Sequence, residues 1–273
     1  MPSPPAPRPS QALIHASPAL DYVELRSRSA FSFLDGASNP EDLAERAAEL
    51  DYPTLALADR DGVYGIPRFH QAAKAAGVRA ITGAIASVTN PQPVAEDPTD
   101  GVRPARGKPL HPATEVLLLV ESQQGWRNLC RLLSESHRDC EKGQARVDWD
   151  RVEEHAEGLT ALLHGDDSLT PATLDRAKSV FGRERLWVDV SRHLERSAEA
   201  ASRRAIALAE TARVPVVASG DVRCAQPADR SLLDAFACLR EKTTLDAAGR
   251  LLLANGERTL KPREEMAARF AGS

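Results

Sequence analysis

Residues 54–85, TLALADRDGVYGIPRFHQAAKAAGVRAITGAI, contain one full repeat of the pattern that decides the fold. Thr54–Ala58 is a short apolar run of the kind that forms a buried strand. A polar, glycine-containing turn follows, and Pro67–Ala76 then reads as a helix closed by Gly77. Arg79–Ile85 is the next strand-like run. The same order recurs on either side. The other runs are Tyr22–Leu25, Val116–Val120, Gly158–Leu163, Leu186–Val190 and Val214–Ala218, which makes seven candidate strands. Between them a helix is expected from Pro40, with Asn39 as N-cap and Leu43, Ala47 and Leu50 on one face. Further helices are expected at Gly125–His137, at Ala172–Phe181 ending on Gly182, at Ser197–Ala212 and at Ala228–Leu239. Strand–helix alternation predicts consecutive parallel strands joined by right-handed crossovers, and seven such units predict a barrel or near-barrel rather than an open sheet.

Composition sets the outer limits. The 273 residues are 42% hydrophobic, 27% charged and 4% aromatic, with 35 basic and 39 acidic side chains for a net charge of −4. That describes a soluble globular chain and argues against broad electrostatic attraction to nucleic acid or to an anionic membrane. No stretch approaches the roughly 18 consecutive apolar residues of a membrane span, and the start MPSPPAPRPSQ has no secretory apolar run, so a cytoplasmic protein is expected. Residues 1–20, with prolines at positions 2, 4, 5, 7 and 9, read as a disordered leader. Residues 21–273 read as one domain, with a proline-rich loop at about 89–114. Cys130, Cys140, Cys224 and Cys238 form no CxxC pair and are expected to be reduced thiols.

In parallel α/β architectures the chemistry sits just after the strands. The residues there are Arg26, Ser27, Arg28 and Asp35 after the first run, and Asp59, Arg60 and Asp61 after the second. Ile85 ends the third, and Glu115 opens the fourth. His164, Asp166 and Asp167 follow the fifth, Asp189 and His193 the sixth, Asp221 and Arg223 the seventh. Such a rim of carboxylates and guanidinium groups has two readings: mutual ion pairing, or capture of a phosphate by bidentate arginines. A metal site would need converging imidazoles or carboxylates, and His164 and His193 are the histidines so placed. There is no glycine-rich phosphate loop, GxSxG turn or HExxH motif. His70 and His137 fall in helices, Trp126 and Trp187 lie beside apolar runs, and Arg203–Arg204 and Lys261–Arg263 are expected on solvated faces. No aromatic-interleaved basic stripe points to direct nucleic-acid binding.

The segment YVELRSRSAFSFLDGASNPEDLAERAAELDYPTLALADRDGVYGIPRFHQAAKAAGVRAITGA resembles the start of the PHP (polymerase and histidinol phosphatase) domain, and more narrowly the N-terminal domain of bacterial error-prone DNA polymerases of the polymerase III alpha type. The resemblance continues through LLLVESQQGWRNLCRLLSESHRD, VDVSRHLERS, VPVVASGDVRCAQPADRSLLDAFACLREKTTLDAAGRLL and NGERTLKPREEMAARF. It implies a distorted (β/α)7 barrel whose strand ends, in the family, carry up to three metal ions among histidines and carboxylates. This chain departs from that pattern. The family's His-x-His is Arg26-Ser27-Arg28, its Asp-His is Asp59-Arg60, its acidic residue after the third strand is Ile85, its next histidine matches Glu115, and its Asp-x-His is Asp221-Val222-Arg223. Asp35, Asp59 and Asp221 remain. Guanidinium groups cannot deprotonate, so metal binding is expected to be lost, with Arg26, Arg28, Arg60 and Arg223 pairing with Asp35, Asp59 and Asp221. The implied role is structural: a degenerate, non-catalytic domain that binds a polymerase subunit or another replication or repair protein in damage-tolerant, translesion DNA synthesis, touching DNA only indirectly. None of the polymerase's own catalytic carboxylates is expected in this segment. Two alternatives stay open. One is a metal-dependent phosphoesterase using zinc or manganese on Asp35, Asp59, Asp221, His164 and His193. The other is a phosphate- or nucleotide-binding module built on Arg26, Arg28, Arg60 and Arg223.

Overall fold

A computed structural model describes residues 22–89, 113–138, 140–141 and 143–271. The expected leader at 1–20 and nearly all of the expected loop at 89–114 lie outside the described residues. Six strands form one curled sheet in chain order: β1 (Thr54–Arg60), β2 (Arg79–Thr89), β3 (Ala113–Val120), β4 (Leu159–His164), β5 (Leu186–Ser191) and β6 (Val216–Ser219). Around it lie α1 (Pro40–Glu49), α2 (Ile66–Ala75), α3 (Gln123–Ser136), α4 (Trp149–Glu154), α5 (Pro171–Phe181), α6 (Arg196–Ala212), α7 (Arg230–Glu241), α8 (Leu245–Ala248) and α9 (Arg263–Phe270). The domain is a single α/β unit of distorted-barrel type.

Two expectations need correction. The run Tyr22–Leu25 is not a regular strand. Glu24 and Ser27 use their carbonyls to accept from Ala56 and Ala58 of β1, at 3.0 and 2.9 Å, so three residues on one side match two on the other. That extra residue is a bulge, and it breaks the ladder. On its other side the same segment pairs with the chain beyond β6, where Arg28 N–H donates to Val222 O (2.9 Å) and Val222 N–H to Arg26 O (2.8 Å). Residues 22–28 therefore lie between β1 and the far edge and close the curl. The second correction concerns direction, because β3 runs antiparallel to both β2 and β4 while the other pairs are parallel. No described helix separates β2 from β3 to carry the chain back, and two helices, α3 and α4, return it between β3 and β4.

Side chains divide by strand parity. Leu55 and Leu57 of β1 pack under α1 and α2 with Leu43, Ala47 and Phe69. Val116, Leu118, Leu163, Val188 and Val190 pack under α3–α6. The opposite parity fills the barrel: Ala56, Ala58, Ile85, Leu117, Leu119 and Leu162 form an apolar inner layer, with Trp187 at its edge. At Gly83 a Cβ would come within 2.8 Å of the Leu118 carbonyl oxygen, so this residue type lets β2 and β3 approach. The capping of α1 follows the sequence, with Asn39 N–H donating to Asp42 at 2.8 Å and Pro40 in the first turn. Lys261 and Arg263 are buried rather than solvated, and Arg263 Nε donates to the Tyr22 carbonyl at 3.1 Å.

Candidate functional site

Charge replaces hydrocarbon at the end of the barrel where β1, β2, β4, β5 and β6 finish and β3 begins. The bulged segment 22–28 buries both Arg26 and Arg28, each at most 1% exposed. Arg26 donates through Nε to Asp189 at the inner face of β5, and its Nη1 lies 3.5 Å from Glu115 on β3. Arg28 Nη2 donates to Glu115 at 2.6 Å, and its Nη1 donates to Asp35. Arg223 donates to the other Asp35 oxygen at 2.6 Å and lies 3.4 Å from Asp221, which also accepts from Arg258. The series Asp189, Arg26, Glu115, Arg28, Asp35, Arg223, Asp221, Arg258 thus alternates in sign. A further contact of 3.4 Å joins Arg28 to Asp221.

These eight residues carry four guanidinium and four carboxylate groups, so the series is neutral as a whole. Such balance is what burial demands, because an uncompensated ion in the interior costs several kcal/mol. Burial pushes the Asp35 carboxyl up, but Arg28 and Arg223 beside it hold it well below the usual carboxylate range. Asp189 is held down in the same way by Arg26, and Glu115 is pushed down to about 2 by Arg28 and Arg26 against the effect of burial. Burial lowers Arg223 and Arg258 to about 10, which leaves both protonated at neutral pH.

The sequence-predicted residues are only partly brought together. Arg26, Arg28, Asp35, Glu115, Asp221 and Arg223 join the series. Arg60 does not: its guanidinium is half exposed and 3.7 Å from Asp61. Among the described residues Asp59 pairs with no arginine. It accepts from the Ser29 N–H (2.7 Å) and from the hydroxyls of Ser29 and Ser32, so serines take the place a guanidinium was expected to fill. Ile85 is fully buried on the inner face, in register with Arg60, and contributes only to packing. His164 Nδ1 lies 3.5 Å from Asp189. His193 is buried and hydrogen-bonded through Nε2 to the Gly220 carbonyl at 3.1 Å; burial, then Arg258, pushes it down to about 3, so it is neutral. His137 caps α3 and contacts the Asp61 carbonyl at 2.7 Å. Sequence reasoning missed Arg258, which comes from a loop paired to residues 223–224 and shows no periodicity, and it left Asp189 without a partner. It also missed Glu24. This buried carboxylate accepts from Tyr22 Oη (2.6 Å), Gly220 N–H (2.7 Å) and Arg26 N–H (2.8 Å), fastening the first segment to the far edge of the sheet, and burial raises it to about 7.

The donor set can be tested against the divalent ions that the fold implies. It does not fit them. The oxygens of Asp35, Glu115, Asp189 and Asp221 face guanidinium groups, which offer donors only and cannot ligate a cation. Of the buried atoms there without a hydrogen bond, four are guanidinium nitrogens, Arg26 Nη1 and Nη2, Arg28 Nε and Arg223 Nε; Asp189 Oδ1, Asp221 Oδ1 and His164 Nδ1 are among the others, and a cation reaching them would stand among those guanidinium groups. Among the described residues, donor atoms that do converge belong to Glu135 of α3 with Glu154 and His155 at the end of α4, none of them a member of the series, and Arg151 already bridges both glutamates. A cavity of about 220 Å³ lined by Arg28, Glu115, His164, His193, Arg223 and Arg258 opens onto the series.

The PHP domain family description matches residues 24–209, the stretch that supplies the bulged segment and all six strands but the last. The chain belongs to the PHP domain family. Relatives extend the match beyond that core. Error-prone DNA polymerase of Anaeromyxobacter sp. (strain K) is 39% identical over 255 residues, covering 90% of this chain and 21% of that protein. The error-prone DNA polymerases of Pseudomonas syringae pv. syringae and Mycolicibacterium paratuberculosis are 35% and 34% identical over 92% and 94% of this chain. The chain spans about a fifth of the length of the curated relatives it matches. An amidohydrolase from Chromobacterium violaceum with bound sulfate and no metal is similar in structure over 74% of this chain and 87% of that one, at 13% identity and a TM-score of 0.46. Among the described residues of this PHP domain no helix is long and apolar enough to cross a membrane.

The ion-pair series gives the PHP domain a defined acid response. Asp35, Glu115 and Asp189 titrate lower when folded than when unfolded, so their stabilisation is complete above the unfolded value near pH 4 and is lost as pH falls through the folded values, about 2 for Glu115. Glu24 has the opposite sign. Its folded value of about 7 exceeds its unfolded one, so its contribution is complete below about pH 4.5 and is lost as pH rises through 7. His193, neutral in the fold with a value of about 3, opposes Glu24 between about pH 4.5 and 6.5 and joins the carboxylates below that, so a thermal midpoint followed from pH 7 down to pH 2 is expected to change little at first and to fall steeply below about pH 4. A midpoint unchanged between pH 5 and pH 2 contradicts the assignment.

Proposed function

We propose that this chain is a non-catalytic PHP domain of the error-prone DNA polymerase system, in which arginines replace metal ions as the ties between strand ends, and that it acts as a structural, partner-binding part in damage-tolerant DNA synthesis. The observation that carries the reading is the alternating, neutral series from Asp189 to Arg258, buried or half-buried where the family's chemistry is expected. Hydrolysis of a phosphoester would need ligands that are free. Asp35 and Asp221 are engaged by arginines, Asp59 by serines and His193 by a carbonyl, which leaves His164, its Nδ1 3.5 Å from Asp189 and without a hydrogen bond among the described residues, as the one member of that set not so engaged. Phosphate capture draws some support from the cavity beside Arg28, Arg223 and Arg258, but those guanidinium groups already face carboxylates, and an anion would compete with them. The partner is a polymerase polypeptide, and the function requires no cofactor.

The test is purification of the tagged chain from its native cell, with identification of what accompanies it. A polypeptide of error-prone polymerase sequence is expected in stoichiometric amount. A chain that purifies alone at full abundance contradicts the proposal.

A further inference from the structure

Helix α7 carries two apolar faces. Leu233, Ala237 and Cys238 are buried against the domain. Leu232, Ala235, Phe236 and Leu239 follow the spacing i, i+3, i+4, i+7 on a different face, and that stripe is left toward solvent: Leu232 is 45% exposed and Leu239 64%, with Ala235 and Phe236 half-buried between them. Leu245 and Leu251, 56% and 50% exposed, extend the apolar surface in elements that pack on α7. Arg240 ties this end of the helix to the site loop by donating to the Leu34 carbonyl at 3.1 Å. Single exposed leucines are ordinary on a monomer, whereas a second apolar stripe at helical spacing, bounded by Arg230, Arg240, Glu241 and Lys242, has the form of a docking face with a polar rim.

Where the stripe falls in the chain indicates what covers it. The PHP family match ends at residue 209, so α7 lies outside the part shared by PHP domains in general. The error-prone polymerase matches cover nine-tenths of the chain or more and leave too few residues out to exclude α7. In those relatives the matching segment is about a fifth of the polypeptide. We propose that the stripe Leu232, Ala235, Phe236 and Leu239 is the docking face for the polymerase part that makes up the rest of those relatives, which would present an apolar helix or loop to it. This rests on the proposed role in the polymerase system and adds the surface that performs it.

The same tagged purification tests it with the double variant Leu232→Asp/Leu239→Asp and with Leu239→Asp alone, the latter at a position exposed enough to leave the fold undisturbed. The polymerase polypeptide recovered is expected to drop about ten-fold or more for the double variant and measurably for the single one, with the thermal midpoint of the single variant unchanged. Recovery at the wild-type level from either folded variant overturns the docking face while leaving the wider role intact. No polymerase polypeptide with the wild-type chain overturns that role, and the docking face with it. Sedimentation of the chain alone is expected to give a monomer; a dimer abolished by Leu239→Asp would assign the stripe to a second copy and overturn the proposal.

Discussion

Replacing Arg28 by alanine is expected to cost about 3–5 kcal/mol of folding stability, the range measured when one partner of a buried ion pair is removed. Arg28 meets more carboxylates than any other arginine of the series. It donates to Asp35 and Glu115 and lies 3.4 Å from Asp221, and it is almost wholly buried. Without it Asp35 keeps only Arg223, and Glu115 keeps Arg26 at 3.5 Å. For a domain of this size each kcal/mol lowers the melting midpoint by roughly 2–4 °C, so a fall of about 6–20 °C is expected. Arg28→Lys retains the charge but cannot span two carboxylates with one ammonium, and it should fall between the two. Pairing Arg28→Met with Glu115→Met separates charge from packing: the double variant should lose less than the sum of the singles, because neither ion is then left alone. A cost under about 1 kcal/mol for Arg28→Ala would place the series among ornamental surface pairs.

Gly36→Ala is expected to be comparably damaging by a different route. A Cβ on Gly36 would overlap the Ser29 carbonyl oxygen and stand 2.6 Å from its carbon, so backbone must move. The loop has little room for it, since Ser32 N–H donates to Ser29 O, Gly36 N–H to Ser32 O, and Ala37 N–H to Arg223 O. Overpacking alone costs about 1–3 kcal/mol. Here the displaced residue also carries Asp35 away from two guanidinium groups, so a loss of at least about 3 kcal/mol is expected in denaturant unfolding. Gly77→Ala is the control. Gly77 needs a positive φ of 76°, but nothing lies within 4 Å of the place its Cβ would take, and the replacement should cost only about 1 kcal/mol.

Much of this was legible in the sequence because it rests on local rules. Apolar runs and glycine or proline punctuation placed six strands and most helices, since burial on both faces and capping act over a few residues. The direction of β3 was not legible. It depends on the connection from Thr89 to Ala113, and the sequence there has no periodicity to read. The first segment misled because Tyr22–Leu25 has a strand's composition, while the bulge arises from its two partners being out of step by one residue. Within the site, the resemblance directed attention to arginines at ligand positions, and Arg26, Arg28 and Arg223 meet carboxylates there. It gave no account of Arg258, which has no ligand counterpart among the motifs considered, or of Arg60, whose neighbour Asp59 is instead engaged by Ser29 and Ser32 from the loop after the first segment. Which carboxylate a guanidinium meets is a matter of tertiary distance, and spacing along the chain does not encode it.

Ion pairs and metal ions differ in one property that can be measured directly: a guanidinium cannot be chelated away. Titration of the purified chain with zinc and with manganese at neutral pH, after dialysis against a chelator, is the most direct test. The account predicts no saturable binding with either ion and an unchanged melting midpoint after chelation. One stoichiometric ion bound with micromolar affinity, or a midpoint that falls on chelation and recovers on adding metal, would contradict it.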